Sequence, residues 1–171
     1  YSPIQTGDYI LSNKIAWGIS VDENDRIWVG TDGGGINIFD QGKRTQVINK
    51  RSGKITDDTI LTVTRDSQNN LWLGTFRGGV NVLNSQYSLV SKFLINESII
   101  DIRAFYEDDN ENMLIATSYG LYQYHIPTGK ETLYTTGNSG LSGNLVRSIT
   151  KDSKGFMWIG FFGECLSVYD R

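Results

Sequence analysis

Short apolar runs separated by polar or glycine-rich turns recur four times along the chain. The clearest of these runs are IWVGT at 27–31, LWLGT at 71–75, MLIAT at 113–117 and MWIGF at 157–161. Each one follows a polar turn and a run rich in β-branched residues, and each precedes a glycine-rich turn and a further apolar run. Runs of this length, bounded by Gly, Asn and Asp, are typical of antiparallel strands. The pattern predicts an all-β chain.

A repeat of about 43 residues underlies this pattern. Its landmarks are an aspartate, a tryptophan six residues later and a glycine two residues beyond the tryptophan. In chain order the positions hold Asp22, Trp28 and Gly30; Asp66, Trp72 and Gly74; Asp108, Leu114 and Ala116; and Asp152, Trp158 and Gly160. The third unit therefore replaces both the tryptophan and the glycine. Landmarks at this many fixed offsets indicate true internal repetition.

Four antiparallel strands in each repeat predict the blade of a β-propeller. The repeat units of this single propeller segment are expected at approximately 7–50, 51–95, 96–136 and 137–171, with 1–6 as a candidate outer strand of a preceding or closing blade. We expect the tryptophan to act as a wedge between neighbouring sheets and the glycine to leave room for a backbone or a bulky neighbour. The aspartate begins the turn between the first two strands, where its carboxylate can accept backbone N–H groups.

Residues 144–170, NLVRSITKDSKGFMWIGFFGECLSVYD, resemble the two-component regulator propeller repeat. The units at 15–40 and 58–84 match the same pattern, and the unit at 99–125 keeps its apolar frame. The resemblance implies a periplasmic sensor region, the extracytoplasmic part of a hybrid two-component histidine kinase of the inner membrane. Many such kinases control polysaccharide use in gut bacteria, which implies carbohydrate sensing. Kinase activity and membrane contact would belong to other parts of the parent protein, so that this segment is not itself an enzyme.

The number of blades in the intact ring admits two interpretations. About four blades are present, and a four-bladed ring could close by pairing 1–6 with the last strand. The alternative, which we favour, is an excerpt from a larger ring of the roughly seven blades that the family resemblance implies, because blades shaped for a larger ring do not readily close at four. An excerpt exposes apolar blade faces, which we expect to pair with other propeller blades or with a second copy of the chain.

The net charge and the cysteine content limit which ligands and which kinds of site the chain could have. The net charge is −3 and the sequence contains no basic stripe, so nucleic-acid binding has no electrostatic basis. The single cysteine, Cys165, excludes an internal disulfide and a multi-cysteine zinc site. Cys165 takes the position that Gly35, Gly79 and Gly120 hold in the other units, and we expect it to be a small buried side chain. His125 ends a predicted strand and is expected to be structural. We expect neither a metal nor a cofactor.

Candidate ligand-binding residues lie in the loops at one end of the predicted blades. The loops before the first strand of each blade share that end with the loops that join the second and third strands. Aromatic platforms beside charged groups suit sugars, which offer an apolar face and directed hydroxyls. The candidates are Trp17, Phe76, Arg77, Arg103, Tyr119, Arg147, Phe161 and Phe162. The alternative is that both Arg103 and Arg147 bind carbonyls or acids of adjacent blades, and that Phe161 and Phe162 pack within their loop.

The sequence contains no pair of carboxylates that stands out as acid and base for glycoside cleavage. We therefore expect a binding module that recognises an oligosaccharide and relays the signal across the membrane. Two alternatives remain open at this point, a protein-interaction scaffold of the WD-repeat kind and the non-catalytic blades of a propeller glycosidase or lyase.

Overall fold

Fifteen β-strands and a short 3-10 helix form the part of the chain that the computed structural model describes, residues 10–94, 101–163 and 165–170. The candidate outer strand at 1–6 lies outside these residues. Contacts between Cα atoms divide the chain into two units, unit 1 at 1–98 and unit 2 at 99–171. Each unit holds two antiparallel sheets whose strands follow one another in chain order.

Unit 1 contains the first two sheets, each of four strands. The strands of the first sheet are β1 Ala16–Val21, β2 Ile27–Thr31, β3 Ile36–Asp40 and β4 Lys43–Ile48. The 3-10 helix Lys50–Ser52 connects it to the second sheet. The strands of the second sheet are β5 Ile60–Arg65, β6 Leu71–Thr75, β7 Val80–Leu83 and β8 Leu89–Phe93.

Unit 2 contains the third and fourth sheets. The strands of the third sheet are β9 Ile102–Glu107, β10 Asn112–Thr117, β11 Leu121–His125 and β12 Lys130–Tyr134. The strands of the fourth sheet are β13 Val146–Lys151, β14 Met157–Phe161 and β15 Leu166–Tyr169. The all-β fold and the four-stranded antiparallel blade are therefore confirmed. A ring of about seven blades stays a prediction.

A hydrogen-bonded aspartate organises the turn between the first two strands of each blade. Asp66 Oδ1 accepts the backbone N–H groups of Gln68 and Asn70 at 3.0 and 2.7 Å. Asp66 Oδ2 accepts the Nε1–H of Trp72 at 2.8 Å. The carboxylate thus holds both the turn and the indole six residues later. The same indole bond, at 3.0 Å, joins Trp28 to Asp22 and Trp158 to Asp152.

The indole of Trp28 fills the space between the two sheets of unit 1. It is fully buried in a cluster that includes Ile36, Ile55 and Leu71. Its ring also meets the edge of Tyr87, on the turn of the second sheet, with centroids 4.9 Å apart. The wedge role predicted for this tryptophan is confirmed. Burying an aromatic ring of this size contributes several kcal/mol, roughly 3–5 by truncation.

Gly30 lets the sheets of unit 1 approach closely. A Cβ atom at this position would lie 2.7 Å from the carbonyl oxygen of Ile60, the first residue of the next blade's inner strand. That distance is too short for any side chain, so the predicted role of this glycine in leaving room for a neighbour is confirmed for the first blade.

In the first, second and fourth blades, a buried polar residue of the third strand binds the loop that precedes the same blade. Asn37 accepts the N–H of Ser12 at 2.9 Å, and its Nδ2 donates to the Ser12 hydroxyl at 2.7 Å. Asn81 Nδ2 donates to the Thr56 hydroxyl at 2.8 Å. Ser167 lies at the same repeat position in the fourth sheet, and its hydroxyl accepts the N–H of Ser142 at 3.1 Å.

Cys165 is exposed, so the expectation that it is a small buried side chain is wrong. In the other blades the corresponding glycine lies beneath the fourth strand: a Cβ on Gly35 or Gly79 would come within 2.3 Å of a carbonyl oxygen of that strand. The described residues of the fourth sheet form three strands, so the position is not covered in this way.

The Asp–Trp hydrogen bonds predict how stability depends on pH. Burial of the Asp22 carboxyl raises its pKa. Hydrogen bonds from Trp28 and from the N–H groups of Asn24 and Arg26 lower the pKa by more than burial raises it, so the net pKa lies below its usual 3.8. At Asp152 the Trp158 hydrogen bond is the main cause of a lowered pKa. A carboxyl whose pKa is depressed in the folded state stabilises the fold above its unfolded pKa and loses that contribution as pH falls through the folded pKa.

We therefore expect the urea midpoint to fall as pH is lowered below about 4, with Asp22→Asn showing a shallower dependence than the unmodified protein. Unfolding curves followed by circular dichroism between neutral and strongly acidic pH measure this. A midpoint that rises on acidification would contradict the assignment of Asp22 as an ionised acceptor.

Candidate functional site

Backbone hydrogen bonds join the two sets of loops at one end of each blade. In every sheet, the residue that follows the second strand donates its backbone N–H to the carbonyl of the residue that precedes the first strand. The donor–acceptor pairs are Asp32 to Ile15, Phe76 to Thr59, Ser118 to Asp101 and Phe162 to Leu145, at 2.9–3.1 Å. The predicted sharing of one end by these loops is therefore confirmed, and it places Phe76 and Phe162 at that end.

The loop surface of unit 2, defined by Asp101, Arg103, Tyr119, Arg147 and Phe162, combines exposed rings with charge. Arg147 lies in β13, and its guanidinium stacks over the Phe162 ring with 4.9 Å from Cζ to the ring centroid. The side chains of Tyr119 and Phe162 are 58% and 62% exposed. Exposed rings of this kind offer apolar faces on which a ligand could pack.

On this surface one arginine is paired with a carboxylate and the other is stacked on an aromatic ring. Arg103 Nη2 donates to Asp101 Oδ2 at 2.5 Å, which pairs one guanidinium with the nearby carboxylate, whereas the buried Arg103 Nε has no hydrogen-bond partner among the described residues. Burial lowers the pKa of Arg147, the positive charge of Arg103 lowers it further, and Asp101 partly opposes both effects. Arginine nevertheless remains protonated in proteins. The surface therefore carries two cations and one anion, with the Arg147 guanidinium held by a ring rather than by a carboxylate.

A smaller platform lies at the corresponding end of unit 1. The Arg77 guanidinium stacks over Phe76 at 4.9 Å, and the Phe76 side chain is 37% exposed. Thr59, whose carbonyl accepts the N–H of Phe76, also donates its hydroxyl to Asp32 Oδ1 at 3.2 Å, which links the loops of the first and second blades. Trp17 lies in β1 and is 54% exposed.

Two candidate residues have environments that the sequence left open. Phe161 lies in β14 and packs, partly buried, against the apolar cluster of the third and fourth sheets. It therefore belongs to the packing of unit 2, whereas its neighbour Phe162 turns outward. Arg103 does meet an acid, as the alternative interpretation proposed, but the acid is Asp101 of its own blade rather than one of an adjacent blade.

The described residues contain no group of three His, Cys, Asp or Glu side chains placed to hold a metal ion. His125 ends β11, and its Nδ1 lies 2.7 Å from the Thr128 hydroxyl within the following turn. Over the ranges 10–94, 101–163 and 165–170, no helix is long and apolar enough to cross a membrane.

The family model described as two component regulator propeller matches residues 10–33, 54–77 and 140–163. Each match ends at the loop between the second and third strands, and the matches cover the Asp, Trp and Gly landmarks of the first, second and fourth blades. The chain belongs to the two component regulator propeller family. The third blade of this regulator propeller, in which leucine and alanine replace the tryptophan and glycine, lies outside the matched residues.

Solved structures extend this assignment. The regulator propeller is 36% identical, with a TM-score of 0.86, to the extracellular domain of the hybrid two component system BT3049 from B. thetaiotaomicron. The match covers 97% of this chain but 22% of that domain. The extracellular domain of BT4673 from the same organism is 17% identical with a TM-score of 0.72, over 99% of this chain and 26% of that one, which shows the fold alone.

More distant propellers share the architecture without indicating a function. The WD40 β-propeller domain of Doa1 is 11% identical with a TM-score of 0.72, and the match covers 91% of this chain and 51% of that one. No curated protein matches the chain. The regulator propeller is thus related to the extracellular regions of hybrid two-component systems, and it spans about a fifth of the length of its 36%-identical relative.

Proposed function

We propose that this regulator propeller is a periplasmic ligand-binding module of a hybrid two-component sensor histidine kinase, and that its ligand is an oligosaccharide. The relationship to extracellular regions of such systems supports the setting. The loop surface of unit 2 supports the ligand class, and the observation that carries the proposal is the exposed Phe162 ring with Arg147 stacked over it.

The chemistry of this surface suits a sugar. The C–H face of a pyranose ring packs on an aromatic ring, and Phe162 and Tyr119 offer two such rings. The Arg147 guanidinium can donate to hydroxyl or carboxylate oxygens of the ligand, since a fork of N–H donors is its only polar chemistry. Asp101 can accept a sugar hydroxyl through the carboxylate oxygen that does not bind Arg103.

Signalling requires more than binding. A ligand shifts a conformational equilibrium only if it binds one arrangement of the protein better than another. The proposed mechanism is therefore that the oligosaccharide favours one arrangement of the blades relative to the rest of the sensor, and that the parent protein carries this preference across the membrane to its kinase. The exposed apolar side chains of the first blade, such as Ile19, would contact further propeller blades in that assembly.

Binding to a glycan array, followed by calorimetry with the oligosaccharide that binds, tests the proposal. We expect Phe162→Ala and Arg147→Ala each to weaken that binding about tenfold or more, because each removes a central contact of the platform. Lys154→Ala, in the β13–β14 turn at the opposite end of the same blade, is the matched control and is expected to leave binding unchanged.

Other outcomes separate the alternatives. Release of reducing ends from a bound glycan would indicate an enzyme, and binding to polypeptides but to no glycan would indicate an interaction scaffold. Absence of any glycan binding by the folded protein, or equal losses in all three variants, would contradict the proposal.

A further inference from the structure

Two arginines hold the same repeat position in the neighbouring blades of unit 2. Arg103 and Arg147 each lie five residues before the aspartate of their repeat, as the second residue of β9 and of β13. Cα atoms of these two strands lie within 8 Å of one another. The blades of unit 1 hold Trp17 and Leu61 at the same position. The pair of cations is therefore a feature of unit 2 rather than of the repeat.

One carboxylate accompanies these two guanidinium groups. Asp101 forms an ion pair with Arg103, and the ion pairs among the described residues do not include Arg147. Burial and then the positive charge of Arg103 lower the pKa of Arg147, which shows that the two cations lie close enough to repel each other. Like charges held close together raise the free energy of the protein, and a bound anion lowers it.

The two ends of unit 2 differ in charge. The described charged residues at the loop end are Asp101, Arg103 and Arg147. The other described acids of unit 2 lie in the half of each sheet nearer to the opposite end, and three of them are in the β9–β10 turn at 108–111. The loop surface is thus positive on a chain whose net charge is −3. An anion is attracted to this end and repelled by the other.

The Arg147 guanidinium is available to a ligand. The residue is exposed, and the Phe162 ring covers one face of the guanidinium. The N–H groups of a guanidinium point outward in its own plane, so stacking on a ring leaves them free to donate. A carboxylate or a sulfate can accept two of these hydrogen bonds in parallel, and charge-assisted bonds are roughly twice as strong as neutral ones. An anionic group therefore gains more from Arg147 than a hydroxyl does.

We propose that the oligosaccharide bound at the loop surface of unit 2 is acidic, and that Arg147 binds its anionic group, which is the carboxylate of a uronic acid or a sulfate ester. Both groups present charged oxygen atoms to the same fork of N–H donors. Arg103 pairs with Asp101 and so leaves the charge of Arg147 to the ligand. This inference rests on the proposed function, because it specifies the ligand of the same surface.

A glycan array of matched pairs tests the inference. Each acidic oligosaccharide, such as oligogalacturonate or a chondroitin sulfate fragment, is printed beside its carboxyl-reduced form and, where it is sulfated, its desulfated form. We expect binding to an acidic member that weakens about tenfold or more when its anionic group is removed. Weakening on carboxyl reduction identifies a carboxylate as the bound group, and weakening on desulfation identifies a sulfate.

Arg147→Gln separates the charge from the contact. Glutamine can still donate to a hydroxyl, so we expect this variant to bind the acidic oligosaccharide and its neutral form with equal affinity in calorimetry. Lys154→Gln removes the same charge at the opposite end of the blade and is expected to keep the preference for the acidic form. Raising NaCl from about 50 mM to about 0.5 M is expected to weaken binding of the acidic form more than that of the neutral form, because salt screens exposed charges.

The outcomes distinguish this inference from the proposed function. Equal affinity of the unmodified protein for an acidic oligosaccharide and its neutral form would overturn the inference and leave the proposed function standing. Absence of binding to every glycan would overturn both. A preference for the acidic form that persists in folded Arg147→Gln, or that is lost in folded Lys154→Gln, would contradict the assignment of Arg147 as the group that binds the anion.

Discussion

Replacing Trp28 with alanine is expected to lower the free energy of unfolding by about 3–5 kcal/mol, the cost of truncating a fully buried aromatic residue. The loss has two causes. The cavity left between the sheets of unit 1 removes the packing of Ile36, Ile55 and Tyr87 on the indole. The Asp22 carboxylate, which is almost fully buried, also loses the Nε1–H donor that lies 3.0 Å from its Oδ2.

Trp158→Ala is the matched control for this prediction. Trp158 makes the same 3.0 Å hydrogen bond to its aspartate, but its ring is only half-buried in the described part of unit 2. We expect its removal to cost less than half as much as that of Trp28, since the area taken out of water is smaller. Urea unfolding curves of both variants, followed by far-UV circular dichroism, give the comparison. Equal losses would show that the hydrogen bond, rather than the packing between sheets, accounts for the role of the tryptophan.

Replacing Gly79 with alanine is expected to destabilise the protein by about 3 kcal/mol or more, because two penalties combine. Gly79 adopts a φ of +71°, which costs an L-residue about 1–2 kcal/mol. A Cβ atom would in addition lie 2.3 Å from the carbonyl oxygen of Phe93, a backbone atom of the fourth strand that cannot move without breaking the β7–β8 pairing.

Gly53→Ala separates the two penalties. Gly53 has nearly the same φ, +72°, but no atom lies within 4 Å of the position that a Cβ would take, so only the conformational cost of about 1–2 kcal/mol applies. The thermal midpoints of the two variants, compared with that of the unmodified protein, provide the measurement. Similar midpoints would mean that the approach of the fourth strand to Gly79 does not constrain this position.

The repeat could be found in the sequence because its landmarks act locally. Asp66 binds residues two, four and six positions ahead, so its spacing from Trp72 is fixed by a turn and by one strand. The positions of Asn37 and Asn81 were harder to interpret, since a polar residue within an apolar strand has no evident partner. Their hydrogen-bond partners lie 25 residues earlier in the chain. The one signal in the sequence is that both asparagines lie nine residues after the tryptophan of their repeat, which marks this position as part of the repeat.

The end of the blades at which the candidate residues lie could be predicted from the sequence, but their contacts with one another could not. The chain order of strands and loops placed Tyr119, Arg147 and Phe162 at one end of the blades, because alternate loops of a meander share an end. The chain order could not show that Arg103 pairs with Asp101 or that Arg147 stacks on Phe162, because these contacts depend on side-chain rotamers and on neighbours across the sheet.

The most direct test of ligand recognition at the loop surface is an NMR titration of isotope-labelled protein with the oligosaccharide selected on the glycan array. The account predicts saturable shifts of the Tyr119 and Phe162 amides and of the Arg147 Nε–H signal. The turns at 108–112 and 152–156, at the opposite end of the same blades, are predicted to stay unchanged. Shifts confined to those turns, or no saturable shift at Arg147 and Phe162, would contradict it.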